Sequence, residues 1–370
     1  MSYLEKLLQG VEVEWKTLGE VTDYEQPTRY IVKSNNYSDK FKTPVLTAGK
    51  SFILGYTDET DGIYQASESP VIIFDDFTTA NKWVDFNFKI KSSAMKLITS
   101  KDESKVLLKY IYYWLNTLPS GLVEGDHKRQ WISSYSIKEI PIPPLSVQKE
   151  IVRILDSFTE LTAELTAELT AELTARKKQY NYYREKLLSF EEGKVEWKTL
   201  GEVAELKRGT SITKNTSKEG QYPVISGGQK PAYYIEQFNR EGETITIAGS
   251  GAYAGYVMYW NEPIFVSDAF SIKANEMKAL PRYIFHFLLS IQEKIHNLKS
   301  GGGVPHVYAK DVARFQIPIP PLSEQERIVA ILDKFDMLTT SISEGLPREI
   351  ELRQKQYEYY RDMLLTFPKN

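Results

Sequence analysis

The sequence predicts an α+β chain: two globular α+β domains held apart by two long antiparallel coiled-coil helices, with a pseudo-twofold internal repeat. Three observations predict this. First, Val13-Glu14-Trp15-Lys16-Thr17-Leu18-Gly19-Glu20-Val21 returns letter for letter at 195–203, and Ile140-Pro141-Ile142-Pro143-Pro144-Leu145-Ser146 returns at 317–323. Second, the segments between these frames, 22–139 and 204–316, hardly match. A frame kept twice around unlike contents implies one architecture with two readouts, and the period is too long for a solenoid. Third, both copies carry a long stretch of helical apolar spacing after the second frame motif.

The first such stretch, 147–190, has apolar residues at Ile151, Ile154, Leu155, Phe158, Leu161 and Leu165. Ser146 is expected to cap it, just after a Pro-Pro stop. It runs through four Glu-Leu-Thr-Ala copies from Glu160 to Ala175, whose leucines (Leu161, Leu165, Leu169, Leu173) are four apart. Each such step overshoots a turn by about 40°, so the stripe drifts around the helix. Leu338, Ile342, Leu346 and Ile350 keep the same stripe in the second copy, although the repeat letters are lost. Arg176-Lys177-Lys178-Gln179-Tyr180-Asn181-Tyr182-Tyr183-Arg184 then matches 353–361 at equal distance. Helices of matched length and apolar face are expected to lie side by side. Gly345 and Pro347 predict a bend or short break there, because proline in a helix interior costs about 3 kcal/mol.

Near the N-terminus, Leu4-Glu5-Lys6-Leu7-Leu8 resembles Arg184-Glu185-Lys186-Leu187-Leu188. The chain therefore starts within its own repeat, and its ends are expected to meet. The division reads as a frame segment 1–21 completing the circular repeat, a first domain 22–139, a central spacer helix 140–194, a second domain 195–316 with its leading frame, and a C-terminal spacer helix 317–370. Within the domains, Pro44-Val45-Leu46 and Pro223-Val224-Ile225 begin strand-like runs. Val71-Ile72-Ile73-Phe74 and Thr244-Ile245-Thr246-Ile247 read as buried strands. A late amphipathic helix spans 106–118 in one domain and 281–298 in the other.

The 370 residues include no cysteine and four histidines, none at paired metal spacing. Disulfides and thiolate zinc sites are excluded, and a reducing cytosol is the expected compartment. No apolar run approaches membrane-spanning length and no signal-peptide pattern opens the chain, so a soluble cytoplasmic protein without membrane contact is expected. The net charge is −3, yet residues 203–317 carry 13 basic and 10 acidic side chains and 21–140 carry 15 of each. The acidic excess lies in the frames, a distribution whose sign suits nucleic acid at the variable parts.

Catalytic machinery is missing from the pattern. The Pro-Pro strings Ile142-Pro143-Pro144-Leu145 and Ile319-Pro320-Pro321-Leu322 lack the Asn/Asp and the aromatic of an adenine methyltransferase loop. Gly49-Lys50-Ser51 follows Pro44 where a phosphate loop needs glycine. Asp75-Asp76 has no nuclease-type partners and reads as a solvated loop. Gly249-Ser250-Gly251 is not a nucleophile elbow.

The two-copy plan, the repeated Ile-Pro-Ile-Pro-Pro-Leu-Ser frames followed by Gln148 or Gln325, and the Thr-Ala-Glu-Leu repeat resemble the specificity subunit of type I restriction-modification systems. The resemblance covers essentially the whole chain. It implies that 22–139 and 204–316 are target recognition domains, each reading one half of a split, asymmetric site in double-stranded DNA. It also implies that the helices dock two methyltransferase subunits, which bind S-adenosylmethionine and methylate adenine, and that motor-nuclease restriction subunits join for cleavage. The chain itself would be non-catalytic and need no cofactor. One four-residue repeat adds about 6 Å of helix, or roughly one to two base pairs of unread spacer. The contrasting reading is a helical protein-protein scaffold whose globular domains do not read DNA.

The residue chemistry nominates DNA contacts. Lys207, Arg208 and Lys214, interspersed with hydroxyl side chains, suit phosphate positioning or are a solvated loop. Ser226, Gln229 and Lys230 surround Gly227 and Gly228, and Gln229 can read adenine bidentately. Ser250 and Tyr253 lie in a loop that is either a tight turn or a base reader. His306 and Lys310 flank the glycine run 301–303, itself readable as a flexible exit. In the first domain the candidates are Thr79, Asn81 and Lys82 after a strand, and the basic spot His127, Lys128, Arg129 and Gln130. Trp83, Tyr112, Tyr113 and Trp114 fit core positions better than base stacking. Tyr182, Tyr183 and Arg184, with Tyr359, Tyr360 and Arg361, suit either packing between helices or docking of a partner subunit.

Overall fold

The computed structural model describes residues 3–47, 51–119, 129–191, 193–301, 303–341 and 344–368. Two compact units emerge: Met1–Ala167 with Glu351–Asn370, and Glu168–Ile350.

In the first unit, the two repeated frame motifs are each other's partner. Strand Glu14–Thr17 pairs antiparallel with strand Glu139–Ile142, Glu14 opposite Ile142 and Thr17 opposite Glu139. Pro141 is tolerated because this ribbon has only two strands and proline need not donate on a free edge. Its carbonyl accepts the buried Tyr110 hydroxyl at 2.8 Å. Thr17 then opens a short helical turn in a capping box, its backbone N–H and hydroxyl both donating to Glu20. These bonds hold the Glu20 carboxyl below its ordinary value.

Inside that clasp lies a four-stranded antiparallel sheet in the order Thr22–Glu25, Met95–Ser100, Val71–Asp75, Asn81–Val84. A three-stranded sheet holds Ile53–Thr57, Thr43–Leu46 and Lys89–Ile90, the last pair parallel. Val71–Asp75 is buried at every position, as the apolar run Val71–Phe74 requires of its first four residues. The domain helix Leu108–Leu115 turns Tyr110, Ile111, Tyr113 and Trp114 into the core.

The second unit repeats this topology with unlike residues. Frame strands Glu196–Thr199 and Gln316–Ile319 pair in the same register, and Tyr283 donates to the Pro318 carbonyl at 2.8 Å. The four-stranded sheet runs Ala204–Arg208, Ala269–Ala274, Thr244–Ala248, Val257–Trp260, and the three-stranded one Tyr234–Ile235, Glu219–Ile225, Phe265–Val266. The domain helix is Pro281–Ser290, followed by the short helix Gln292–His296.

One buried side chain ties domain to frame in each unit. Gln148 Oε1 accepts the Leu107 N–H at 3.0 Å, and its Nε2 donates to the carbonyls of Lys105 (2.9 Å) and Pro143 (2.8 Å). Gln325 does the same with Leu280 N–H (2.9 Å), Lys278 (3.1 Å) and Pro320 (2.9 Å). A second tie lies about two turns along. Asp156 accepts from Tyr113 at 2.5 Å and pairs with Lys109. Its counterpart Asp333 meets His286 Nε2 at 2.6 Å and Arg282 at 2.6 Å. Burial, outweighing the bond to Asp333, holds the His286 imidazole below its ordinary value. A neutral ring facing a carboxylate carries its proton on Nε2, leaving Nδ1 to accept the Tyr180 hydroxyl at 3.0 Å.

The central helix runs unbroken over Leu145–Leu187, 43 residues. Its residues to Ala167 belong to the first unit and those from Glu168 to the second. The C-terminal copy is two helices, Leu322–Thr340 and Leu346–Leu365, so the expected interruption is present. Gly345 fits there because a Cβ would meet the Met337 carbonyl oxygen at 2.6 Å, and Pro347 occupies the first turn of the next helix, where no N–H is needed. In the first unit Thr159 bonds Tyr357, Phe158 packs on Tyr360, and Ile154 lies by Met363 and Leu364. Rising numbers on one helix meet falling numbers on the other, so this pair is antiparallel. In the second unit Tyr183 stacks on Phe335 at 5.5 Å, the counterpart of the Phe158–Tyr360 contact.

Several local expectations change. Pro44-Val45-Leu46 and Pro223-Val224-Ile225 end their strands rather than begin them. Ser146 lies inside the first turn, because the helix starts at Leu145 directly after the proline pair. The domain helices are shorter than the apolar pattern, ending at Leu115 and Ser290. Asp75 and Asp76 are buried, not solvated. Leu161 is exposed while Leu165, Leu169 and Leu173 are half-buried, as the drifting stripe requires. Ile342, Gly49 and Lys50 lie outside the described residues. None of the described helices is long and apolar enough to cross a membrane.

Replacing Gln148 with alanine leaves one buried N–H and two carbonyls without their partner, which should cost about 3 kcal/mol. Gln148→Glu should cost at least as much, since a carboxylate would face two carbonyl oxygens. Urea unfolding of the chain checks both, and a loss below about 1 kcal/mol for each variant would contradict the assigned role.

Candidate nucleic-acid interface

In the second unit, five loops converge at one end of the two sheets. Strand Ala204–Arg208 leads into Gly209 and Thr210, whose N–H groups donate to Ala269 and Val266 carbonyls at 2.9 Å each. Strand Glu219–Ile225 arrives beside them, Ser267 N–H donating to the Ile225 carbonyl at 2.8 Å. The turn after Thr244–Ala248 joins through Gly249 N–H to the Asp268 carbonyl at 3.1 Å. Ser300 and the stretch 305–307 close the group: Gly251 N–H meets the Pro305 carbonyl, Val307 N–H meets the Gly249 carbonyl, and His306 bridges both Ser250 and Ser300. Lys299 Nζ donates to the Ala252 carbonyl at 3.1 Å.

Two glycines permit this closeness. A Cβ on Gly209 would lie 2.1 Å from the Ser267 carbonyl oxygen, and one on Gly227 2.6 Å from that of Ser250. The surface they make is polar and mostly basic. Lys207 and Arg208 are exposed at the strand end, and Arg240 braces the strand that carries them. Its Nη2 donates to the Arg208 carbonyl at 3.0 Å and its Nε to Ser271 at 2.6 Å. Burial lowers the Arg240 pKa from its ordinary value. Tyr308 stacks near His306 with rings 17° apart, and Lys310 reaches over Tyr308. Tyr253 is exposed. Cations, hydroxyls and exposed aromatic faces grouped this way can position phosphates and meet base edges.

Of the residues nominated in this unit, Ser250 and His306 are brought together, with Lys207, Arg208, Ser226, Tyr253 and Lys310 on the same converging loops and their flanks. Lys214, Gln229 and Lys230 are exposed on adjoining turns. The sequence reading missed Asp268, Arg240 and Tyr308. Tyr308 could have been found, since it follows His306 by two in an extended stretch and so shares its face. Asp268 and Arg240 gave no local signal, because their partners are distant in sequence.

The first unit is built differently at the matching place. Asp75 organises the turn after strand Val71–Asp75, accepting from Phe77 N–H at 2.9 Å and the Thr78 hydroxyl at 2.7 Å. Thr79 sits in that turn with φ 61° and a buried side chain, against the expectation of an exposed polar contact. Gln130 is also buried, its N–H donating to the Asp76 carbonyl at 2.9 Å. Asp76 accepts Trp131 N–H at 2.9 Å and lies 3.1 Å from Lys96 Nζ, both side chains wholly buried. Asn81 is half-buried and accepts from Asn116 at 3.0 Å. Lys82 and Arg129 remain exposed, while His127 and Lys128 lie outside the described residues.

One tyrosine of each pair packs between helices and the other does not. Tyr183 and Tyr360 pack on Phe335 and Phe158, whereas Tyr182 and Tyr359 stay 57% and 62% exposed. Arg184 lies over Tyr180 and donates to Asn181, and Arg361 donates to Asp362.

Each unit carries its own loop set on the same scaffold, the plan of a protein built from two related modules, and comparison with known proteins gives it a family. Residues 10–175 and 192–352 each match the type I restriction modification DNA specificity domain, so the chain belongs to the family of type I restriction-modification specificity subunits. It is 55% identical to the specificity subunit of the Escherichia coli type I restriction enzymes EcoR124I/EcoR124II, over 100% of this chain and 98% of that one. It is 35% identical to a putative type I restriction enzyme specificity subunit of Haemophilus influenzae, over 99% and 98%. The fold resembles the crystal structure of a type I restriction-modification S subunit from M. genitalium (TM-score 0.58, 20% identity, 100% of both chains). It also resembles a chain from a structure of type I R-M complex assembly and conformational transition (TM-score 0.60, 18% identity, 96% of this chain and 98% of that one).

Gly227→Ala should force the 226–228 and 249–251 turns apart and destabilise the chain by about 1–3 kcal/mol. Gly228→Ala, whose Cβ would meet nothing closer than 3.5 Å, should be near neutral. Denaturant unfolding of the two variants checks this, and equal stability would contradict the close approach.

Proposed function

We propose that this chain is the non-catalytic subunit that gives a type I restriction-modification complex its DNA sequence specificity. Segment 22–139 reads one half of a split, asymmetric double-stranded site and 204–316 reads the other. The single observation that carries the reading is the full-length 55% identity to a specificity subunit. It is supported by two loop sets that differ on one scaffold, since an asymmetric site needs unlike readers in like positions.

Two methyltransferase subunits, which bind S-adenosylmethionine, dock on the helices, with the exposed Tyr182 and Tyr359 as equivalent anchors on the two copies. Motor-nuclease subunits join for cleavage, and the complex works on DNA in the cytoplasm. Lys207, Arg208 and Lys310 hold phosphates, and Ser250, Tyr253 and His306 face base edges. In the first domain Lys82 and Arg129 take the corresponding roles. The Glu-Leu-Thr-Ala repeats of the central helix set the unread gap between half-sites.

Mapping N6-methyladenine in cells carrying the cognate methyltransferase, with and without this chain, tests the reading. A split motif with a fixed unread gap should appear only with the chain. Deleting Thr166–Leu169 should shorten the gap by roughly one to two base pairs and leave the bases read unchanged. Absence of chain-dependent methylation beside a methyltransferase active with another specificity subunit would overturn the reading, and an unchanged gap in the deletant would overturn the spacer role.

A further inference from the structure

We propose that Asp268 is a base-reading residue of the second domain and that it selects a cytosine by accepting a hydrogen bond from its N4 amine. This inference rests on the DNA-reading function proposed above.

Asp268 stands between strands Phe265–Val266 and Ala269–Ala274, at the centre of the five converging loops. Its position is fixed from two sides. The backbone carbonyl accepts Gly249 N–H, and Oδ2 accepts the Ser250 hydroxyl. Gly249 leaves room on the side of Oδ1, where a Cβ would approach to 3.5 Å. One carboxylate oxygen is thereby tied down, and the exposed group keeps acceptor capacity on the other.

The electrostatics give this acceptor a purpose. The exposed Lys207 and Arg208 at the end of their strand, and Lys310 in the short helix Ala309–Val312, attract phosphates. An exposed carboxylate among them repels phosphate unless it meets a donor on the DNA. Among the described residues Asp268 has no ion pair.

The first domain shows what a structural carboxylate looks like at this end of the sheet. Asp76 follows strand Val71–Asp75 as Gly249 follows Thr244–Ala248. Asp76 is wholly buried, takes a backbone N–H and lies 3.1 Å from Lys96 Nζ. The position matching Lys96 in the second domain is Phe270, since Phe74 faces Lys96 and Ile247 faces Phe270 in equivalent strand pairs. The position matching Asp268 is Ala94, whose carbonyl accepts Asp76 N–H as that of Asp268 accepts Gly249 N–H. The two domains therefore set their carboxylates on opposite sides of the same turn contact, the first buried beside Lys96 and the second exposed.

The base follows from donor and acceptor pattern. A carboxylate only accepts. In the major groove cytosine offers the N4 donor, whereas adenine sets its N7 acceptor beside the amine, which suits an amide better. The test is N6-methyladenine mapping in cells carrying the methyltransferase with the unmodified chain, Asp268→Asn or Asp268→Ala. Asp268→Asn keeps the side-chain shape and an oxygen for Ser250. Both variants should lower the preference for one cytosine, on either strand of one half-site, by about tenfold, leaving the other half-site and the gap unchanged. A motif identical to that of the unmodified chain, or a loss of methylation that falls equally on both half-sites, would overturn the assignment. If the unmodified chain directs no split motif, the parent reading fails and this inference falls with it.

Discussion

The primary amide of Gln148, like that of Gln325, joins three backbone groups drawn from the approach to the domain helix and from the proline turn that starts the frame helix. Both side chains are wholly buried. An amide is the group that can do this, because it accepts one N–H and donates twice from one plane. The domain helix cannot shift along or rotate on the frame without stranding buried polar groups, each costing about 1–3 kcal/mol. The remaining ties follow from that placement. Tyr110 and Tyr283 reach the proline carbonyls, and Asp156 and Asp333 meet the next turn of their domain helices.

Once the frame is fixed, the domains are free to differ where they do not touch it. The first buries a Lys96–Asp76 pair and a second between Lys89 and Glu59, spending charge on the interior of its sheets. The second fills the position of Lys96 with Phe270, and the polar side chains its sheet strands bury are the uncharged Thr244, Thr246 and Ser271. The strand order is nonetheless the same. Topology here is held by the outer clasp of paired frame strands and by the buried runs Val71–Asp75 and Thr244–Ala248, not by the identity of the loops.

These facts explain what was legible in the sequence. The repeat, the central helix, the break near Gly345 and the two buried strands were all readable, because each is written in local spacing or in a second copy. That the repeated motifs pair with each other was not read, though letter-for-letter retention at Trp15 and Trp197, opposite Pro141 and Pro318, follows from that pairing. The burial of Asp75, Asp76, Thr79 and Gln130 escaped a local reading because the Lys96 ammonium and the Trp131 N–H that partner Asp76 come from a distant strand and turn. The convergence of 209–210, 225–227, 249–251, 267–268 and 305–307 was hidden for the same reason: each loop looks like an ordinary turn until its partners are in place.

The glutamine ties can be measured without altering the protein. Native-state hydrogen exchange on the full chain reports the Leu107 and Leu280 amides, which donate to Gln148 and Gln325. If the glutamines hold domain to frame, both amides exchange only when their unit unfolds, as slowly as the central-strand residues Ile72 and Ile245. Fast, loop-like exchange at Leu107 and Leu280 while Ile72 and Ile245 stay protected would contradict it.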